Sequence, residues 1–218
     1  MKKYFLIVAV ACITGIALTG CNKETFDNTA EEVGHSRVVF FPTITTKGER
    51  LVIIYQGGTY TDQGAVATLN EKPNPVTSSG SVDPTKPGIY AINYETKNPD
   101  GFSATDFRTV VVIGSDVPAS RDYSGTYDRT GIATPQNSTW TKTATGVYTV
   151  VNPGGAVGVT ATAVNYTGNL IAIPLQLTSV GPFSSTGGVY KPDATPPQYE
   201  WAIVNAGYGA QMRFFTKR

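Results

Sequence analysis

The chain has 218 residues, 40% hydrophobic and only 15% charged, with 17 basic against 16 acidic side chains and a formal charge of +1, where an average soluble domain is about 25% charged. That balance supplies no electrostatic footprint for nucleic acid, and 2 Cys with 1 His exclude a disulfide scaffold, a Cys-based zinc site and most histidine-dependent chemistry. Polarity comes instead from Thr, Ser, Asn and 23 Gly, with 14 Pro and 12 Tyr, a composition of strands and turns.

Residues 1–20 read as a secretory signal: Met1-Lys2-Lys3, the apolar run Tyr4 to Leu18, then small residues. As a helix the run would extend roughly 22 Å, short of a hydrocarbon core of roughly 30 Å, so it is not a permanent span. Leu18-Thr19-Gly20-Cys21 resembles the bacterial lipobox. The resemblance implies diacylglycerol on the Cys21 thiol, cleavage before it, and a lipid-anchored outer-membrane protein. An ordinary signal peptide with an incidental cysteine is the alternative. Several acyl chains, at about 0.8 kcal/mol per buried CH₂, hold far better than one myristoyl. Cys12 leaves with the signal, so the mature chain has no free thiol, and loss of Lys2 and Lys3 turns the formal charge to −1.

Residues 21–35 are polar and aperiodic, with Glu24, Asp27, Glu31, Glu32 and a solvated His35, and are expected to be a flexible tether with a reach of roughly 20 Å. Lys23-Glu24 is similar to the acidic signals that send Bacteroidetes lipoproteins to the cell surface, without the full acidic run, so surface display is an expectation.

Residues 36–114 carry short Val-, Ile-, Tyr- and Thr-rich runs at 37–41, 51–55, 65–69, 80–82, 88–94 and 107–113, separated by Lys47-Gly48, Gln56-Gly57-Gly58, Thr85-Lys86-Pro87-Gly88 and Asn98-Pro99-Asp100-Gly101. Tyr90, Ile92 and Tyr94 share one face, as do Val110 and Val112. Tyr60-Thr61-Asp62-Gln63-Gly64-Ala65, then Pro87-Gly88-Ile89-Tyr90 with Tyr94, then Asp100-Gly101 and Arg108-Thr109-Val110-Val111-Val112 resemble a bacterial immunoglobulin-like module of Bacteroidetes surface lipoproteins. The resemblance implies an Ig-like β-sandwich. A calcium cluster of Asp62, Asp83 and Asp100 lacks the dense oxygen spacing of known loops, and no metal or other cofactor is expected.

Residues 115–120 form a linker, and 121–218 a second all-β domain with strands expected at 125–129, 138–143, 147–152, 157–164, 170–177, 188–191, 199–205 and 211–217. Val157, Val159, Ala161 and Ala163 alternate with polar residues, the mark of a half-buried antiparallel strand. Such a set suits an antiparallel β-sandwich or a small barrel. Tyr123-Ser124-Gly125-Thr126-Tyr127 and Gly146-Val147-Tyr148 are similar to the C-terminal domains that follow such Ig-like modules.

Acidic residues here are few: Asp122, Asp128, Asp193 and Glu200. A glycoside hydrolase needs two facing carboxyls, and neither a Gly-x-Ser-x-Gly elbow, a P-loop nor His-Glu-x-x-His occurs, so the protein is expected to be non-catalytic. Sugar recognition needs an aromatic plate and a few polar partners. Trp140, flanked by Ser138, Thr139, Thr141 and Lys142, is the first candidate for an exposed ring, and Tyr208 in a Gly-rich loop the second. Tyr199, Trp201 and Ile203 share a face that reads as core, and Tyr148 and Tyr190 also read as core.

The leading expectation is an accessory glycan binder of a polysaccharide-uptake system, similar to SusE/SusF-type proteins in organisation. Its partners would be the membrane, through Cys21, and a glycan or an outer-membrane uptake complex. The alternatives are a structural or adhesive protein-interaction lipoprotein and, remotely, a hydrolase. Convergence of Trp140 and Tyr208 on one concave face would favour sugar; burial or separation would favour protein interaction.

Overall fold

The computed structural model describes residues 38–133, 136–155, 157–209 and 211–218. The signal peptide, Cys21 and the 21–35 tether lie outside the described residues. From Phe40 to Arg218 the chain forms one compact unit, and every regular element is a strand.

The first module contains β1 (Thr43–Thr46), β2 (Leu51–Tyr55), β3 (Ala65–Leu69), β4 (Lys72–Pro73), β5 (Thr77–Ser79), β6 (Gly88–Lys97) and β7 (Ser103–Ile113). They make two sheets, β1-β3-β4 and β2-β7-β6-β5. Pairing is antiparallel except that β2 runs parallel to β7, from Leu51↔Thr109 to Tyr55↔Ile113. Ile92, Tyr94, Val110 and Val112 are buried, on the faces their alternation assigns. The apolar run at 37–41 does not become a strand over its described residues. Phe40 and Phe41 remain exposed, and Phe41 meets Phe102 with ring centroids 5.1 Å apart. The strand instead starts at Thr43, where β-branched Thr43, Ile44 and Thr45 pair with β3.

The motif residues of this module converge on one side-chain network. Arg108, only 1% exposed, pairs with Asp62 and with the Lys47 carbonyl, and its Nε donates to the Glu49 carbonyl at 3.1 Å. The Tyr94 and Tyr60 hydroxyls donate to Asp62 Oδ1 at 2.6 and 3.0 Å. Tyr94 and Arg108 lie 32 and 46 positions from Asp62, yet together they fasten the loop before β3 to β6 and β7. A second tie works alike: Asp106 pairs with Arg50 and its Oδ2 accepts the Thr46 N–H and Oγ1, both at 2.8 Å, locking β1 across to β7.

Burial pushes the Asp62 carboxyl up, but hydrogen bonds from Tyr94, Tyr60 and the Gly64 N–H, with the Arg108 charge, outweigh it and hold Asp62 below the ordinary carboxylate range. Asp106 is likewise raised by burial and lowered further by Arg50, Thr46 and Phe107. Carboxyls depressed in the folded state add stability above their unfolded value of about 3.9, and that stability is lost as pH falls through the lower folded value. Urea midpoints should therefore hold between neutral pH and about pH 4 and drop below it, less steeply in Asp62→Asn.

The second module contains β8 (Gly125–Arg129), β9 (Asn137–Ala144), β10 (Val147–Val151), β11 (Thr160–Thr167), β12 (Leu170–Ala172), β13 (Gln176–Thr178), β14 (Gly181–Lys191), β15 (Gln198–Val204) and β16 (Met212–Lys217). Hydrogen bonding runs β12-β11-β10-β9-β8-β16-β15-β14, and β12 then pairs β14, so these eight strands close into an antiparallel barrel. The sequence left sandwich and barrel open; the structure is the barrel. Closure occurs at Leu170↔Val189, next to a register shift in β14 between Thr186 and Val189. Gly188 makes it possible, because a Cβ there would run into the Ile171 carbonyl. The run expected at 170–177 splits into β12 and β13, with Pro174 unable to donate to a ladder between them.

An eight-stranded barrel leaves an interior just wide enough for side chains. Tyr127, Trp140, Tyr148, Phe183, Tyr199, Trp201 and Phe215 fill it, each at 2% exposure or less. The two modules also share an apolar contact: Val111, Ile113 and Val117 cluster with Val147, Val164 and Ala172, joined by Leu51 and Ile53. This is why the end of β7, Val110 to Ile113, is buried on both faces and reads as an unbroken Val-Ile run. Thr109 Oγ1 donates to the Leu175 carbonyl at 2.7 Å and the Gly114 N–H to the Tyr166 carbonyl at 2.7 Å. Gly146, at φ +69°, admits Ile113: a Cβ on it would lie 3.2 Å from the Ile113 side chain and 2.6 Å from the Asn165 carbonyl.

Candidate functional site

Trp140 is not an exposed plate. It is 2% exposed and stacks on Trp201 at 5.3 Å, with Tyr127, Tyr148 and Tyr199 edge-on at 6.2, 5.4 and 5.1 Å. Its polar neighbours misled because they divide between two faces. Thr139 and Thr141 point outward, whereas Ser138 is fully buried beside the ring, a small residue that leaves room for a large one in a narrow lumen. The Trp140 Nε1–H and the Tyr199 hydroxyl have no hydrogen-bond partner among the described residues. Trp201 is core as expected, and its Nε1 donates to the Pro153 carbonyl at 2.8 Å.

Tyr208 is half-buried rather than free. Its ring stands edge-on to Phe183 at 5.4 Å, lies against Gly154, where a Cβ would collide with it, and carries the Arg213 guanidinium 5.4 Å from its centroid. It caps the barrel end formed by the β10–β11 and β15–β16 turns. Trp140 and Tyr208 therefore do not share a concave surface, which corrects the expected sugar platform. Cys21, the expected lipidation site, lies outside the described residues. Of the acidic residues weighed for hydrolysis, Asp128 is paired with Arg218 at 2.8 Å and Glu200 with Lys191 at 2.6 Å.

Two concave surfaces of the barrel were not legible in the sequence. At the end opposite Tyr208, a recess of about 440 Å³ is lined by Arg121, Asp122, Tyr123, Asn169, Tyr190 and Lys217, with two prolines. Tyr123 and Tyr190 stack beneath it at 3.6 Å, and the Tyr127 hydroxyl ties both, at 2.6 Å to the Tyr123 carbonyl and 3.0 Å to the Tyr190 hydroxyl. Burial pushes the Tyr148 phenol beside them up to about 12, and burial raises Tyr123 and Tyr190, so these phenols stay neutral hydrogen-bonding groups. Arg121 bonds Asn165 Oδ1 at 3.1 Å and the Gly168 carbonyl, and Asp122 accepts the Ser124 N–H at 2.8 Å. Four separate stretches of chain supply this lining, so no local spacing announces it.

The second surface is on the outer wall. A groove of about 510 Å³ runs over Leu175, Val180, Pro182, Val204 and Ala206. Exposed Leu177, which pairs with Pro182 of the groove, extends its apolar character, and exposed Met212 lies opposite Ala202 one strand over.

Comparison with known proteins adds the following. The model of the family described as bacterial surface protein, Ig-like domain, matches residues 44–112. No curated protein matches the chain. Among solved structures the chain is similar to the lipoprotein BT2262 from Bacteroides thetaiotaomicron, at 23% identity, over 82% of this chain and 100% of that one, with a TM-score of 0.38. The family match coincides with β1 to β7 and with the module built around Asp62, Tyr94 and Arg108.

Proposed function

We propose that this chain is a non-catalytic lipoprotein of the cell envelope, anchored through an acylated Cys21, whose barrel holds a partner protein of an envelope assembly against its outer wall. The surface-protein Ig-like match at 44–112 and the lipobox-like Leu18-Thr19-Gly20-Cys21 support the address. The observation that carries the role is the apolar groove lined by exposed Val204, with exposed Leu177 paired to Pro182 at its edge. Contiguous apolar surface rimmed by polar residues marks protein contacts, and the rings that fill the middle of the lumen leave no room there for a large ligand.

A photo-crosslinking residue at Val204 in cells should give one discrete adduct that disappears in Leu177→Asp, while unfolding midpoints stay within about 0.5 kcal/mol of wild type. No adduct, or an adduct indifferent to Leu177→Asp, would sink the reading.

A glycan-binding role within an uptake system is the second reading, and it rests on the polar recess of Arg121, Asn169 and Lys217 rather than on Trp140 or Tyr208. Hydrogen bonds, not ring stacking, would hold the sugar there. A polysaccharide array on the chain from Ser36 onward, repeated with Asn169→Ala, separates the two readings: a hit lost in the variant favours the glycan.

A further inference from the structure

We propose that the barrel end under Tyr208 is a binding site for a small oxyanion, a carboxylate, sulfate or phosphate group, held between Arg129 and Arg213. Alternation places both guanidiniums there. On β16 Arg213 shares a face with fully buried Phe215, and on β8 Arg129 shares one with fully buried Tyr127. Phe215 lies opposite Arg129 in the β16–β8 register, so the two arginines enter the same end of the lumen from adjacent strands.

Neither arginine has a carboxylate partner among the described residues, whose ion pairs engage Arg50, Lys86, Lys97, Arg108, Lys191 and Arg218. Arg213 is 6% exposed. Its Nη2 donates to the Tyr208 carbonyl and its Nη1 to the Gln211 carbonyl at 3.4 Å, while its buried Nε has no partner among the described residues. Among the described residues, the Arg129 side chain reaches only the Gly154 carbonyl, at 3.4 Å. The contrast with Arg108, which is equally buried but paired with Asp62, is instructive: the same fold satisfies one buried guanidinium and leaves another without a counter-charge.

A buried cation without a counter-ion is costly, and a second like charge beside it adds to the cost. Burial, then the neighbouring Arg129 charge, makes Arg213 easier to deprotonate than an ordinary arginine. A bound anion removes both penalties. The planar guanidinium fork fits two oxygens of one acid group, and the unused Nε–H of Arg213 is part of such a fork. The Asn205–Gly209 turn carries Tyr208 over the Arg213 guanidinium. Its base is pinned by Asn205, whose Nδ2 donates to the Val180 and Pro182 carbonyls at 3.1 and 2.8 Å, so Tyr208 forms the roof of the site.

Thermal unfolding of the full chain, extracted from membranes, tests this with sodium sulfate, sodium phosphate and sodium glucuronate against sodium chloride at equal ionic strength. At least one oxyanion should raise the midpoint saturably, by linkage to the folded state, and Arg129→Gln and Arg213→Met should each abolish that rise. Arg213→Met should also unfold no earlier than wild type without added oxyanion, because it removes an uncompensated charge. Response to glucuronate alone assigns a sugar acid; response to sulfate or phosphate assigns a tetrahedral anion. A rise no larger than with chloride, or one that persists in Arg129→Gln, would overturn the site, the latter because excluded salts stabilise any fold.

Discussion

Arg108→Met is expected to destabilise the first module by about 3–5 kcal/mol, the cost of breaking a buried ion pair by removing one partner. The loss strands Asp62, takes the countercharge from the site of the Tyr60 and Tyr94 hydroxyls, and leaves the Lys47 and Glu49 carbonyls without their donor. Asp62 keeps 28% of its side chain in contact with solvent, so water relieves part of the stranded charge and the effect should fall toward the lower end. Urea denaturation checks this. The double variant Arg108→Met/Asp62→Asn should cost less than the sum of its parts, because the two residues act as one unit.

Trp140→Ala is expected to cost about 3–5 kcal/mol, the usual penalty for emptying a large aromatic site in a core. The cavity would open among Trp201, Tyr127, Tyr148 and Tyr199, whose rings hold one another in edge and stacked contacts that cannot collapse without breaking. Trp140→Phe should cost much less, since the indole N–H has no hydrogen bond to lose. A surface plate would behave otherwise: truncation would leave the unfolding midpoint almost unchanged and would abolish ligand binding instead.

The fold was legible where one physical cause dominated. Alternation assigned Ile92, Tyr94, Val110 and Val112 to the sandwich core and Val159, Ala161 and Ala163 to a buried face. It also put Tyr90 and Val157 there, but Tyr90 is half-buried and Val157 is 90% exposed ahead of β11. It failed where a second neighbour covered the other face. Val111, Ile113 and Val164 are buried against one another across the modules, a contact that no single strand records. Val38 to Phe41 has the apolar content of a strand and no strand partner among the described residues. Barrel closure depends on Gly188 yielding space to the Ile171 carbonyl, and a glycine in a strand does not say what approaches it.

The site was less legible than the fold. Counting polar neighbours around Trp140 treated both faces as one, whereas the buried Ser138 two residues before it belongs to the ring's own face. Tyr208 was placed correctly in a turn between strands, but its cation and its glycine seat come from Arg213 and Gly154, the latter on a different turn. Arg129 and Arg213 look like ordinary strand charges until the register brings them to one end of a closed lumen.

Tryptophan fluorescence tests the central claim most directly, because the chain has just 2 Trp and both lie inside the barrel, at 2% and 0% exposure. Emission should be blue-shifted, resist acrylamide by several-fold relative to the urea-unfolded chain, and stay unchanged when saccharides are added. Red-shifted emission that acrylamide quenches freely, or a spectral response to a sugar that Trp140→Phe removes, would contradict a filled barrel that works through its outer surface.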